Sequence, residues 1–236
     1  MDILNKVAIV TGASKGIGRR TAELLAEKGA KLAISARSKD LLNEVAAQLP
    51  TETFVFAGDM SDEQDIKKFV DQTQQKFGRI DILINNAGLG IFQPIAETTT
   101  ENWDTMFNLN VRGLFLCTRE SLPYLRRSED SVIVNVASLA GKNAVPGGAG
   151  YAATKHAVLG FSRTLMLEER KNGVRVLAIC PGSVDTEFFD PNRVRSTPRD
   201  PGKILKANDV ASSIVHMIEL PANAMLSEID IRPSNP

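Results

Sequence analysis

The sequence predicts an α/β fold in which one doubly wound parallel β-sheet is flanked by helices. Short apolar runs recur along the chain, and between them lie stretches whose apolar residues fall at helical spacing. The runs are near-continuously apolar rather than alternating, as expected of strands covered on both faces. Strand and helix in regular alternation, with short connections, imply parallel strands joined by right-handed crossovers.

Residues 7–10 (VAIV) are the first expected strand, and a helix is read at 18–28. Gly29 stands just past that helix, where a C-terminal glycine is favoured. Strand 31–35 (KLAIS) and helix 39–49 come next, then strand 53–56 (TFVF) and helix 62–77. Strand 80–84 (IDILI) precedes a long helical stretch at 100–127. Strand 132–136 (VIVNV) leads to helix 151–172, which Gly173 closes as Gly29 closes the first. Strand 174–179 and a final strand at 227–231 complete the sheet. No Ser/Gly-rich linker, repeat or low-complexity segment divides the chain, so residues 1–236 are read as one domain. One region breaks the rhythm. Residues 187–203 hold Pro191, Pro198, Pro201, Gly202 and several arginines with little periodicity, and are expected to form a substrate lid.

Apolar residues make up 43% and charged residues 24%, a globular balance rather than a disordered one. The 28 basic residues face 28 acidic ones, so the net charge is zero. Nucleic-acid binders and polybasic membrane readers carry an excess of one sign, and neither partner is expected here. No run approaches the ~18 apolar residues of a spanning helix, and no basic-then-apolar leader precedes Lys6. A soluble cytoplasmic protein is the expectation. Cys117 and Cys180 are too few for a disulfide scaffold and wrongly spaced for zinc. With His156 and His216 as the only histidines, no metal centre is expected either.

The first strand runs into Thr11, Gly12, Ala13, Ser14, Lys15, Gly16, Ile17 and Gly18, with a helix following. Glycines let the backbone turn and approach a bulky anion, and the helix N-terminus offers unpaired N–H groups with a positive dipole end. The spacing is G-x-x-x-G-x-G, and such turns also arise for packing alone. Rossmann logic asks for an acidic residue at the end of the second strand to bond the ribose 2′-hydroxyl of NAD. None stands there. Arg37 occupies the place, a fixed cation with a donor fork suited to phosphate. With Lys15 in the glycine loop, it favours NADP over NAD, against the plainer reading of two solvated surface cations.

Tyr151 and Lys155 are four apart at the start of a helix, so they share one face. An ammonium beside a phenol is expected to lower the phenol's pKa and make Tyr151 a general acid or base. Ser138 ends a strand, and in a doubly wound sheet the carboxyl ends of strands face the ligand crevice. It is placed to donate to the same substrate oxygen as Tyr151. A Tyr-Lys pair alone is more often just a helix face, and a serine after a strand just a turn. Their combination in register with the glycine loop is sharper.

These residues carry a family resemblance. The chain resembles a short-chain dehydrogenase/reductase over nearly its whole length. Gly12, Gly16, Ile17 and Gly18 match that family's cofactor loop, and Asn85, Asn86, Ala87 and Gly88 match its sheet-stabilising motif. Asn110, Ser138, Tyr151 and Lys155 match its catalytic tetrad, and Pro181, Gly182, Val184 and Thr186 match the segment after the sixth strand. The resemblance implies a Rossmann-type sheet and hydride transfer between a nicotinamide and a small-molecule carbonyl or alcohol. Tyr151 would be the acid/base, Lys155 would lower its pKa and bond the nicotinamide ribose, and Ser138 would orient the carbonyl. Asn110 would hold a water linking Lys155 to solvent. Asp59 would bond the adenine amine, although capping the helix near Asp62 also explains it. Asn86, Ala87 and Gly88 would line the adenosine-ribose side, while Val184 and Thr186 would fix the carboxamide. Lys15 and Arg37 correspond to positions associated with NADP. A homo-oligomer, tetramer or dimer, follows from the family alone.

Motif style is shared with bacterial 3-oxoacyl-carrier-protein reductases. The C-terminal stretch 220–233 lacks their glycine-rich ending, and so departs from them. A non-catalytic nucleotide sensor or scaffold on the same fold is the alternative of another class. Asn110, mid-pattern in an apolar stretch, is expected to mark a kink. His156 is expected to turn from the site, because adjacent helix residues do not face each other. Trp103 is expected to anchor the start of its helix.

Overall fold

The computed structural model describes residues 1–188 and 204–234. Its main sheet has seven parallel strands in the order β3-β2-β1-β4-β5-β6-β9. These are β1 (Val7–Thr11), β2 (Lys31–Ala36), β3 (Thr53–Ala57), β4 (Ile82–Asn85), β5 (Ser131–Val136), β6 (Val174–Pro181) and β9 (Glu228–Ile231). A small parallel pair, β7 (Val184–Asp185) and β8 (Leu205–Lys206), lies apart from it.

Both faces are covered, which is why the strands read as unbroken apolar runs. Ala8, Val10, Leu32, Ile34, Ile82, Ile84, Val132 and Val134 pack on one side with α1 (Gly16–Glu27), α2 (Lys39–Ala46) and α7 (Ala207–Glu219). Ile9, Ala33, Leu83 and Ile133 pack on the other with α3 (Glu63–Phe77), α5 (Leu114–Leu125) and α6 (Ala149–Glu169). Alternate residues of each strand thus serve opposite cores.

The expected strands and helices are present, and the structure adds α7 and the β7–β8 pair and divides or shortens some of the helices. α7 lies outside the elements expected from the sequence; Asp209 Oδ2 accepts from the Lys206 N–H at its start (2.8 Å), and its buried residues Val210, Ile214 and Ile218 pack among the core residues beside α1. The stretch expected as one helix over 100–127 is α4 (Thr100–Phe107), a π-helical turn at Asn108–Gly113, and α5. Asn110 lies in that turn, so the expected kink is there. Gly113 explains the close packing behind it, because a Cβ would sit 2.1 Å from the Met60 carbonyl oxygen. The helix expected to 49 ends at Ala46. Gly29 and Gly173 have φ of 82° and 74°, the left-handed conformation their positions required. Cys117 and Cys180 are both buried. Trp103 lies within the first turns of α4, stacked on Phe107 at 4.7 Å. Among the described residues no helix is long and apolar enough to cross a membrane, and no metal-holding cluster of His, Cys, Asp or Glu occurs. Of the expected lid, residues 189–203 lie outside the described residues.

The strand order reverses its direction of growth between β1 and β4. The chain leaves β1 toward β2 and leaves β4 toward β5, so the loops after these strands part and open a crevice at their carboxyl ends.

Candidate active site

A cavity of about 1230 Å³ occupies that crevice. At one end lies the glycine loop, with Gly12, Ser14, Lys15, Gly16 and Ile17 on its wall. Gly12 and Gly16 have φ of 67° and 59°. α1 begins at Gly16 with no side-chain cap and no acidic residue in its first turn, whereas Ser38, Asp62 and Thr99 cap α2, α3 and α4. Its first N–H groups therefore stand at the cavity wall without a capping side chain, an arrangement suited to an anion. Gly18 does not line the cavity. It lies beneath the loop, where a Cβ would come within 2.3 Å of both the Gly12 carbonyl oxygen and Asn86 Nδ2.

The loop after β4 is tied to the loop after β1. Asn86 Nδ2 donates to the carbonyls of Thr11 (2.9 Å) and Gly12 (3.1 Å), and the N–H groups of Asn86 and Ala87 both donate to Thr11 Oγ1 at 3.0 Å. Asn86, Ala87 and Gly88 form the adjoining wall. Deeper in the sheet, Asn85 and Asn135 are register partners, and Asn85 Nδ2 donates to Asn135 Oδ1 at 2.9 Å and Thr118 Oγ1 at 3.0 Å. Arg37 and Asp59 line the same end from the tips of β2 and β3. Asp59 does not cap α3; Asp62 does. Asp59 Oδ1 instead accepts from Ser61 N and Oγ, both at 2.8 Å. Among the described residues no carboxylate pairs with Lys15 or Arg37.

At the other end Ser138, Tyr151 and Lys155 converge. Ser138 follows β5, and its Oγ accepts from Ala140 N (3.1 Å) and lies 3.4 Å from the Pro181 carbonyl. Tyr151 and Lys155 project from one face of α6, with Lys155 Nζ 5.7 Å from the phenol ring centre. Lys155 Nζ donates to the Val136 carbonyl at 2.8 Å. Pro181, Gly182, Val184 and Thr186 close this end after β6. His156 is exposed and bonded to the Ala152 carbonyl, turned from the cavity.

Asn110 is 2% exposed and sits behind the cavity rather than on it. Its Nδ2 donates to the Leu89 carbonyl (2.8 Å) and to Thr154 Oγ1 (3.1 Å), and its Oδ1 accepts from Leu89 N at 2.9 Å. Thr154 Oγ1 donates in turn to the Tyr151 carbonyl at 2.7 Å. The π-helical turn thus clasps the loop after β4 to the first turns of α6.

The charge states depart from expectation. Burial pushes the Tyr151 phenol up to about 12, opposed by its hydrogen bond with Ser138, and burial pushes the Lys155 amine down to about 8. The expected lowering of the phenol does not prevail, because both groups have lost water and each is driven toward its neutral form. A phenol kept protonated is in the state needed to give a proton away.

Sequence reading missed Thr154, the Val136 carbonyl, Arg232 and Pro233. Thr154 and the Val136 carbonyl hold Asn110 and Lys155, and nothing but burial beside Lys155 signals them. Phe92 packs on Tyr151, with ring centres 5.2 Å apart, and Arg232 and Pro233 reach the cavity from the far edge of the sheet.

The model for the short chain dehydrogenase family matches residues 6–196. The chain is 34% identical over 231 residues to an uncharacterized oxidoreductase of Staphylococcus epidermidis, covering 98% of each. It superposes with a TM-score of 0.92 on a 3-ketoacyl-(acyl-carrier-protein) reductase from Brucella melitensis complexed with NADH, at 30% identity and 98% coverage of both chains. An alcohol dehydrogenase from Thermococcus sibiricus complexed with 5-hydroxy-NADP gives 0.88 at 30% identity, covering 98% of this chain and 97% of that one. Sheet order, crevice and sequence match agree, and the chain belongs to the short-chain dehydrogenase/reductase family of oxidoreductases.

Proposed function

We propose that the protein transfers hydride between NADPH and a carbonyl or alcohol substrate, with Tyr151 as general acid and base. The observation that carries this reading is the opening of an uncapped helix N-terminus and the Ser138–Tyr151–Lys155 group onto one continuous cavity.

The residues fit a dinucleotide. The pyrophosphate would lie on the Gly12–Gly16 turn and the α1 N–H groups, Asp59 would take the adenine amine, and Asn86, Ala87 and Gly88 would flank the adenosine ribose. Lys15 and Arg37, both exposed and with no acidic partner among the described residues, support a 2′-phosphate and hence NADP over NAD. Val184 and Thr186 would hold the carboxamide. When bound, the nicotinamide supplies the hydride and its electron pair. In reduction, Ser138 and Tyr151 donate hydrogen bonds to the carbonyl oxygen, and Tyr151 gives that oxygen its proton. Lys155 bonds the ribose and, protonated below about 8, balances the phenolate that forms. Asn110 holds the loop and helix in register for water to reprotonate the pair. In oxidation the same groups run in reverse.

A second reading, reduction of 3-oxoacyl thioesters, draws support from the backbone likeness to the Brucella melitensis reductase. The C-terminal stretch 220–233 weighs against it. A non-catalytic sensor is disfavoured by the presence of both Tyr151 and Lys155. A homo-oligomer, dimer or tetramer, is supported by the exposed apolar Phe115 on α5 and Leu167 on α6.

The test is NADPH oxidation against diketones, β-ketoesters and short acyl thioesters. Tyr151→Phe is expected to lower turnover about 10²–10⁴-fold while NADPH still binds, the usual range for general acid catalysis. Retention of most of the activity removes Tyr151 from its role.

A further inference from the structure

We propose that the substrate carries an uncharged aromatic ring beside its C=O, and that Phe92 is the residue that selects it. This inference rests on the catalytic reading of Tyr151 given above. The Tyr151 ring lies between two phenylalanines, with centres 5.2 Å from Phe92 at 48° and 5.7 Å from Phe188 at 57°. Tilted rings at these separations are the attractive geometry for aromatic pairs. Leu89, Val145, Phe92 and Phe188 pack against the cluster of Met106, Ala140 and Tyr151, so the described wall beside the Tyr151 ring is apolar on the side away from Ser138 and Lys155.

Phe92 is held against main chain by two glycines. A Cβ on Gly90 would sit 2.7 Å from the Phe92 ring and 3.0 Å from the Phe188 ring. A Cβ on Gly148 would sit 3.1 Å from Phe92 and 2.9 Å from Val145. Both glycines have ordinary backbone angles there, so close approach of the ring, and not a special turn, is what each provides. The consequence is a flat wall at a defined angle to Tyr151, fitted to a second flat apolar group. A carboxylate beside the carbonyl would be desolvated against these rings, which is unfavourable. Arg232, which lines the cavity just past β9, is paired with Asp230 at 3.2 Å and is 55% exposed.

Three carbonyl compounds separate the outcomes: acetylbenzoyl, diacetyl (methyl in place of phenyl) and benzoylformate (the same ring with a carboxylate). The holoenzyme with NADPH is expected to favour acetylbenzoyl over diacetyl by about 30-fold in kcat/KM, from ring contact and apolar burial, and to favour it over benzoylformate. In Phe92→Ala the phenyl-over-methyl ratio should fall about tenfold, and Phe92→Leu should lie between. Gly90→Ala, which displaces the same ring from its other side, should lower the ratio as well. Equal use of acetylbenzoyl and diacetyl, preference for benzoylformate, or a ratio unmoved in Phe92→Ala overturns the proposal and leaves the reading of Tyr151 intact. Bound NADPH with no turnover of any carbonyl overturns both.

Discussion

Lys155→Met should make the protein more stable while removing its activity. Lys155 is 6% exposed, and burial holds its amine at about 8 against an ordinary 10.5. At about 1.4 kcal/mol per pH unit, that difference means the charged lysine destabilises the fold by about 3 kcal/mol below pH 8. Methionine has a similar length, carries no charge and fits the same channel. It cannot bond the Val136 carbonyl, a loss of about 1 kcal/mol, which leaves a net gain of about 2 kcal/mol at pH 7. For a chain of this size the melting temperature should rise by roughly 4–8 °C. The sign with pH is fixed. The unfolded lysine keeps its proton up to 10.5 and the folded one loses it near 8, so the wild type gains stability between those values. The advantage of the variant is therefore full below pH 8 and gone above 10.5. Thermal and urea unfolding of both proteins from pH 6.5 to 10.5 measures this. A variant less stable than wild type at pH 7, or a gap that does not close as pH rises, refutes the claim that burial dominates at Lys155.

Arg37→Asp should raise the KM for NADPH about tenfold or more and improve use of NADH, since a charge-assisted hydrogen bond contributes about 1.5–3 kcal/mol; steady-state kinetics with both coenzymes checks it, and unchanged preference refutes the phosphate assignment. Gly18→Ala should weaken NADPH binding at least tenfold and cost about 1–3 kcal/mol of stability, because its Cβ would strike the Gly12 carbonyl and the Asn86 amide that joins the two loops. Fluorescence titration with NADPH and a melting curve measure the two effects.

Much of the site was legible because its groups are displayed on regular elements. Spacing of four on a helix puts Tyr151 and Lys155 on one face whatever the surroundings, and a glycine loop between strand and helix marks a tight turn into an uncapped helix N-terminus. Asn110 showed the opposite case. Its polarity in an apolar stretch marked it as unusual, yet the clasp to Leu89 and Thr154 joins residues 21 and 44 positions away, which no local pattern encodes. Phe92 sits in an irregular loop, and its contacts with Gly148 and Tyr151 join it to residues more than fifty positions along the chain.

Local periodicity and punctuation by glycine were enough to determine the parallel sheet, most of its helices and the chemical types gathered at its carboxyl edge. They act over a few residues, and so survive in a bare sequence. α7, the π-helical turn, the neutral tendency of the Tyr151–Lys155 pair and the packing of Phe92 on Tyr151 were decided only by tertiary structure. Each depends on how much water is left around a group once distant segments close over it, and solvent exclusion is a property of the packed chain alone.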